Sequence, residues 1–154
     1  MYEKLLNEAH EQGLEVIEKY PFRSPRIRGL CCDNTIALSA QIDTRAERTV
    51  VLCEELTHAT YTVGNILHDP RLERRVRERM FDRLVGKQGL VKAFLGGCRE
   101  VWELAEWFGV PAEFMAAALQ NYRARFGTFT TVKIGGKTYS LAFEPTLHVE
   151  CLGA

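Results

Sequence analysis

The chain has no excess of charge, no long apolar run, no internal repeat and no cysteine pair at CxxC spacing. Twenty Lys and Arg balance twenty Asp and Glu, so the formal net charge is zero. Chains that bind nucleic-acid phosphates usually carry a strong basic excess, so direct nucleic-acid binding is not expected. No apolar stretch approaches the roughly 20 residues that span a bilayer. The opening Met1-Tyr2-Glu3-Lys4 begins a mixed-charge stretch rather than the apolar core of a secretory signal. The cysteines at 31, 32, 53, 98 and 151 make an odd count, and adjacent Cys31 and Cys32 are poorly placed to bridge each other. These features predict a cytoplasmic protein without membrane contact, its thiols free and each Cys acting as a small buried hydrophobe.

What is present is ordinary globular material. The 154 residues are 46% hydrophobic and 26% charged, enough to bury the core of one domain and unlike a disordered chain. Leu5, Leu6, Ala9, Leu14, Val16 and Ile17 predict a helix over 2–19, weakened at Gly13 and closed by Tyr20-Pro21. Two apolar pieces, 27–32 and 35–38, flank Asp33-Asn34 as a hairpin. Thr44-Arg45-Ala46-Glu47 matches a capping box, so a helix starts near Arg45, with Gly64 as its stop. Asp69-Pro70 opens a helix over 70–85, followed by short helices at 88–95 and 99–108 and another from Pro111 to about Phe126. After Gly127, two alternating runs around Gly135-Gly136 predict a β-hairpin, then an irregular tail. The sum is an α+β fold, mainly helical, with a small N-terminal hairpin or sheet and a C-terminal β-hairpin. Residues 1–126 form the helical domain, and 127–154 are a hairpin and tail packed on it.

Within the 45–63 helix, Cys53-Glu54-Glu55-Leu56-Thr57-His58 sets Glu54 and His58 four apart, one turn above each other on one face. A carboxylate and an imidazole so placed can grip one cation, with Glu55 turned toward a water beside it as general base. This is the layout of the HExxH zinc-peptidase helix with Glu at the first ligand position. A catalytic zinc needs a third protein ligand, and Glu73, in the first turn of the next helix, is the candidate. The Glu/His/Glu set carries one more negative charge than His/His/Glu, which favours Zn²⁺ less strongly and admits Mn²⁺ or another divalent ion. Tyr61 is a candidate oxyanion donor, and His68 an alternative ligand should Glu54 not bind. The same spacing also fits a solvated helix face bearing one polar histidine.

More of the chain joins this helix. Leu52 to His58 is followed by Thr60-Tyr61-Thr62-Val63-Gly64-Asn65-Ile66-Leu67 and then by Leu72-Glu73-Arg74-Arg75-Val76-Arg77. Trp102-Glu103-Leu104-Ala105-Glu106, Val110-Pro111-Ala112-Glu113-Phe114 and Phe143-Glu144-Pro145 complete the series. In this order the pieces resemble the ImmA/IrrE family of metallo-endopeptidases, in the short form carried by phages and integrative elements, over roughly residues 2–150. The resemblance implies a zincin-like domain and a zinc-dependent peptidase. Its substrate would be an intracellular helix-turn-helix immunity repressor, which would be its partner. It places Glu54 and His58 on the helix-ligand positions, Glu55 on the general base and Glu73 on the downstream acidic ligand. Two positions depart from the pattern: Glu54 stands for a more familiar His, and Thr57 stands where Gly is common, crowding the ion or bringing a hydroxyl near it.

Two further readings come from other segments. Residues 99–119 resemble a helix-turn-helix with Gly109 in the turn, but Ala112, Glu113, Ala116, Ala117 and Ala118 suit neither phosphate nor base contact. They read as a helical hairpin or a docking surface for a helix-turn-helix partner. Arg71, Arg74, Arg75, Arg77, Arg79 and Arg83 read as a solvated face with i,i+4 pairs, and Trp102, Trp107, Phe108, Phe114 and Tyr122 as core. Three functions follow in order: the peptidase, a catalytically weak relative that sequesters the repressor, and a small DNA-binding regulator using 99–126.

Overall fold

The computed structural model describes residues 1–61 and 69–154, Tyr61 by its backbone alone. Its fold is α+β, with helices and two small three-stranded sheets. The chain packs as two compact units, Met1–Met80 and Phe81–Ala154, with the boundary inside a helix.

The first unit opens with α1 (Tyr2–Glu11), whose Leu5 and Ala9 are buried. The single helix expected over 2–19 is not what forms. Gly13 adopts φ +75°, a left-handed value that stops the helix, and the chain turns into β1 (Glu15–Tyr20). The β-branched Val16 and Ile17 fall in that strand, which runs parallel to β3 (Thr35–Ser39) through Val16↔Ile36 and Ile17↔Ala37. The hairpin forms as expected: β2 (Gly29–Cys32) pairs antiparallel with β3 around Asp33, whose φ is 52°. The strand order is β1-β3-β2, so β3 is central, with Ile36 and Leu38 fully buried. Among the described residues β2 is an edge strand.

Helix α2 (Arg45–Tyr61) begins where the capping signal puts it, with the Glu47 N–H donating to Thr44 Oγ1 at 3.1 Å. The Glu47 carboxylate pairs with Arg28 at 2.8 Å, tying the helix start to the residue before β2. Val51, Leu52, Cys53 and Leu56 are buried and lay the helix on β2 and β3. The stop expected at Gly64 lies outside the described residues. Helix α3 (Pro70–Leu84) starts at its expected cap, where Arg71 N–H donates to Asp69 Oδ1 at 3.0 Å. Its Val76 and Met80 are buried, whereas Arg71, Arg74, Arg75, Arg77 and Arg79 are exposed.

The second unit holds α4 (Lys87–Leu95), α5 (Val101–Phe108) and α6 (Ala112–Phe126). A capping box not expected from the sequence starts α5: the amides of Arg99 and Glu100 both donate to Glu103 Oε2, at 2.6 and 2.9 Å. Gly109, at φ +66°, turns α5 into α6. The expected hairpin is β4 (Phe129–Ile134) and β5 (Lys137–Ala142), joined by Gly135 and Gly136, both at positive φ. The tail expected to be irregular instead adds β6 (His148–Gly153) to β5, with buried Val149 opposite Leu141. Phe81, Leu90, Val91, Leu104, Met115 and Tyr122 are buried in this unit.

Two sequence expectations about burial need correction. Tyr122 is buried and Phe108 and Phe114 are half-buried, but Trp102 and Trp107 are 59% and 51% exposed. Helical spacing fixes which face a side chain shares without showing what covers that face. All five cysteines are free; Cys53 and Cys98 are buried, Cys31 is half-buried, and Cys32 and Cys151 face solvent.

Candidate metal centre

Burial of Leu52 and Leu56 fixes the rotation of α2 and leaves the Glu54–His58 face half-buried. Val76 and Met80 do the same for α3, whose capped first turn presents Glu73. His58 Nε2 lies 3.9 Å from Glu54 Oε1 and 3.9 Å from Glu73 Oε2. One ligand atom from each residue falls within 4.8 Å of the others, and this is the one such cluster among the described residues. Bonds of 2.0–2.2 Å to a tetrahedral cation separate its donors by about 3.4 Å. The observed spacing is within half an ångström of that along both edges from His58. A carboxylate–imidazole–carboxylate set at this spacing has the donor chemistry of a divalent-ion site.

The electrostatics point the same way. Burial pushes the Glu54 carboxyl up and Glu73 adds to the rise, while His58 and Arg77 oppose it. Burial also pushes Glu55 up to about 7, reinforced by Glu54 and Glu73 and opposed by a bond from the Cys31 N–H. Three carboxyl groups thus crowd one imidazole, a concentration of negative charge that a cation relieves.

Glu55 is held by contacts that no local motif could have disclosed. The Ser39 N–H bonds to Arg28 O, so in the β2–β3 ladder the groups of Gly29 and Cys31 point off the sheet edge. That edge is where the Glu55 carboxylate accepts from Cys31. Gly29 makes the approach between strand and helix feasible: a Cβ there would stand 2.6 Å from Val51 Cγ1 and 3.1 Å from Glu55 Cγ and Oε1.

The expected roles fare unequally. Glu54, His58 and Glu73 converge, with Glu55 next to them in sequence on α2 and held against β2. Thr57 is wholly buried, and its Oγ1 donates to the Cys53 carbonyl at 2.6 Å. His68 and the side chain of Tyr61 lie outside the described residues. In comparisons with known proteins, no family model, curated sequence or solved structure matches the chain.

Proposed function

We propose that the Met1–Met80 unit is the catalytic part of a metal-dependent endopeptidase. Its proposed substrate is an intracellular helix-turn-helix repressor of the phage and mobile-element type. The observation that carries this reading is the convergence of Glu54, His58 and Glu73 to within 4.8 Å, beside a half-buried carboxyl one residue along α2. Zn²⁺, or Mn²⁺ given the oxygen-rich donor set, would polarise a carbonyl and acidify a water when bound.

The rest of the chemistry falls to the chain. The Glu55 carboxylate takes a proton from the attacking water and returns it to the leaving amide nitrogen. The Cys31 N–H holds that carboxylate in place, restricting its rotation. The Gly29 N–H and C=O and the Cys31 C=O, which point off the edge of β2, offer an extended peptide hydrogen-bond partners beside Glu55, which favours a peptide substrate over a compact metabolite. The repressor as substrate comes from the resemblance of the Glu54–His58 helix and its downstream Glu73.

The direct assay incubates the chain, supplied with Zn²⁺ or Mn²⁺, with a purified helix-turn-helix repressor from a phage or integrative element. Cleavage is expected with the native chain and not with Glu55→Gln, which leaves the three ligands in place. Cleavage by Glu55→Gln at the native rate would overturn the assignment of the base. Repressor binding without cleavage would instead indicate action by sequestration.

A further inference from the structure

The outer face of α5 carries two exposed tryptophans that the proposed metal centre does not use. At 100° per residue, Trp102, Glu106, Glu103 and Trp107 follow one another around an arc of 140°, and Leu104 and Ala105 are buried on the other side. Two half-exposed indoles therefore flank two carboxylates. The Trp107 ring is seated rather than loose, because a Cβ on Gly96 would stand 2.6 Å from its Cη2 and Cζ3. The exposed Leu95 precedes that glycine.

The charge along this segment is predominantly negative. Residues 99–113 contain Glu100, Glu103, Glu106 and Glu113 against the single cation Arg99. Arg99 is turned away, its guanidinium 3.7 Å from the Phe94 ring centroid and donating to the Phe94 and Cys98 carbonyls. In a chain of zero net charge, this is a local excess of three negative charges set among aromatic surface.

We propose that the Trp102–Glu106–Trp107 face of α5 docks an arginine-bearing amphipathic helix of a partner protein. Charge complementarity selects the occupant. A guanidinium stacks on an indole and pairs with a neighbouring carboxylate, so arginine satisfies both features of the face, and apolar side chains beside it cover the remaining indole surface. A nucleic acid or an anionic membrane would meet the wrong charge. The inference does not depend on the metal centre, whose residues lie in the other unit.

Trp102 and Trp107 are the only tryptophans in the chain, so fluorescence excited selectively at tryptophan reports this face. The probe is a short synthetic amphipathic helix with arginines along one side and leucines beside them, and its control carries glutamates in place of the arginines. Titration of the full-length chain with the arginine peptide is expected to give a saturable blue shift of emission that weakens as salt is raised. Anisotropy of a labelled peptide should show at least a tenfold loss of affinity in Trp102→Ala and in Glu106→Lys, both of which alter exposed side chains. Unchanged emission, equal binding of the glutamate peptide, or undiminished binding by both variants would overturn the proposal. A concentration-dependent blue shift without peptide would overturn it in favour of a second copy of the chain as occupant.

Discussion

Folding partly strips Glu55 of water while keeping Glu54 and Glu73 close, and the cost falls on its charged form. Its carboxyl titrates near 7 in the folded chain, against an ordinary value of 4.5. Between those values the native state holds a proton that the unfolded chain has released, so metal-free protein loses stability as pH rises through this window. The loss is on the order of 3 kcal/mol. Glu55→Gln, neutral at every pH, should flatten that part of the profile and exceed the native chain in stability at about pH 8 while matching it near pH 4; urea denaturation at both values checks this. Gly29 is the counterpart on the strand side. Its missing side chain admits Val51 and Glu55, so Gly29→Ala should destabilise the fold by about 1–3 kcal/mol through overpacking. Under the proposed function the same substitution should also slow hydrolysis, because the added Cβ would press on Glu55 as well as on Val51.

Among the elements, those whose signals are local were legible in the sequence. Thr44 and Asp69 sit within one turn of the helices they start, and α2 and α3 begin where those residues place them. Thr44→Ala should therefore cost about 1 kcal/mol, with Thr44→Ser retaining most of the stability, as thermal denaturation would show. What depends on distant partners was not legible. Val16 and Ile17 fit a helix face as well as a strand, and only the parallel pairing with β3, about twenty residues on, decides for β1. His148–Gly153 becomes a strand because β5 offers an edge, and the exposure of Trp102 and Trp107 reflects the lack of a covering layer among the described residues. At the site, the i,i+4 pair of Glu54 and His58 could be read directly. The Cys31 amide and the space left by Gly29 could not, since both depend on how β2 lies against α2. Tyr122 is a long-range support of the same kind: its hydroxyl accepts the Gly86 N–H at 3.0 Å, at the start of α4. Tyr122→Phe removes one of two acceptors of that N–H, which also donates to the Phe81 carbonyl at 3.1 Å, and should cost about 0.5–1.5 kcal/mol in a urea titration.

Across the whole molecule, zero net charge conceals strong segregation. The arginines of α3 are largely exposed, and the glutamates of 99–113 flank two exposed tryptophans. Each compact unit carries its own buried side chains and its own candidate surface, the metal cluster in Met1–Met80 and the acidic aromatic face in Phe81–Ala154. The central claim concerns the first of these, and elemental analysis of the purified chain after exposure to zinc and removal of excess ion tests it most directly. The account predicts one divalent ion per chain, retained in Glu55→Gln and reduced well below one in His58→Ala and Glu73→Ala. A native chain that retains no ion, or a His58→Ala variant that retains as much as the native chain, would contradict it.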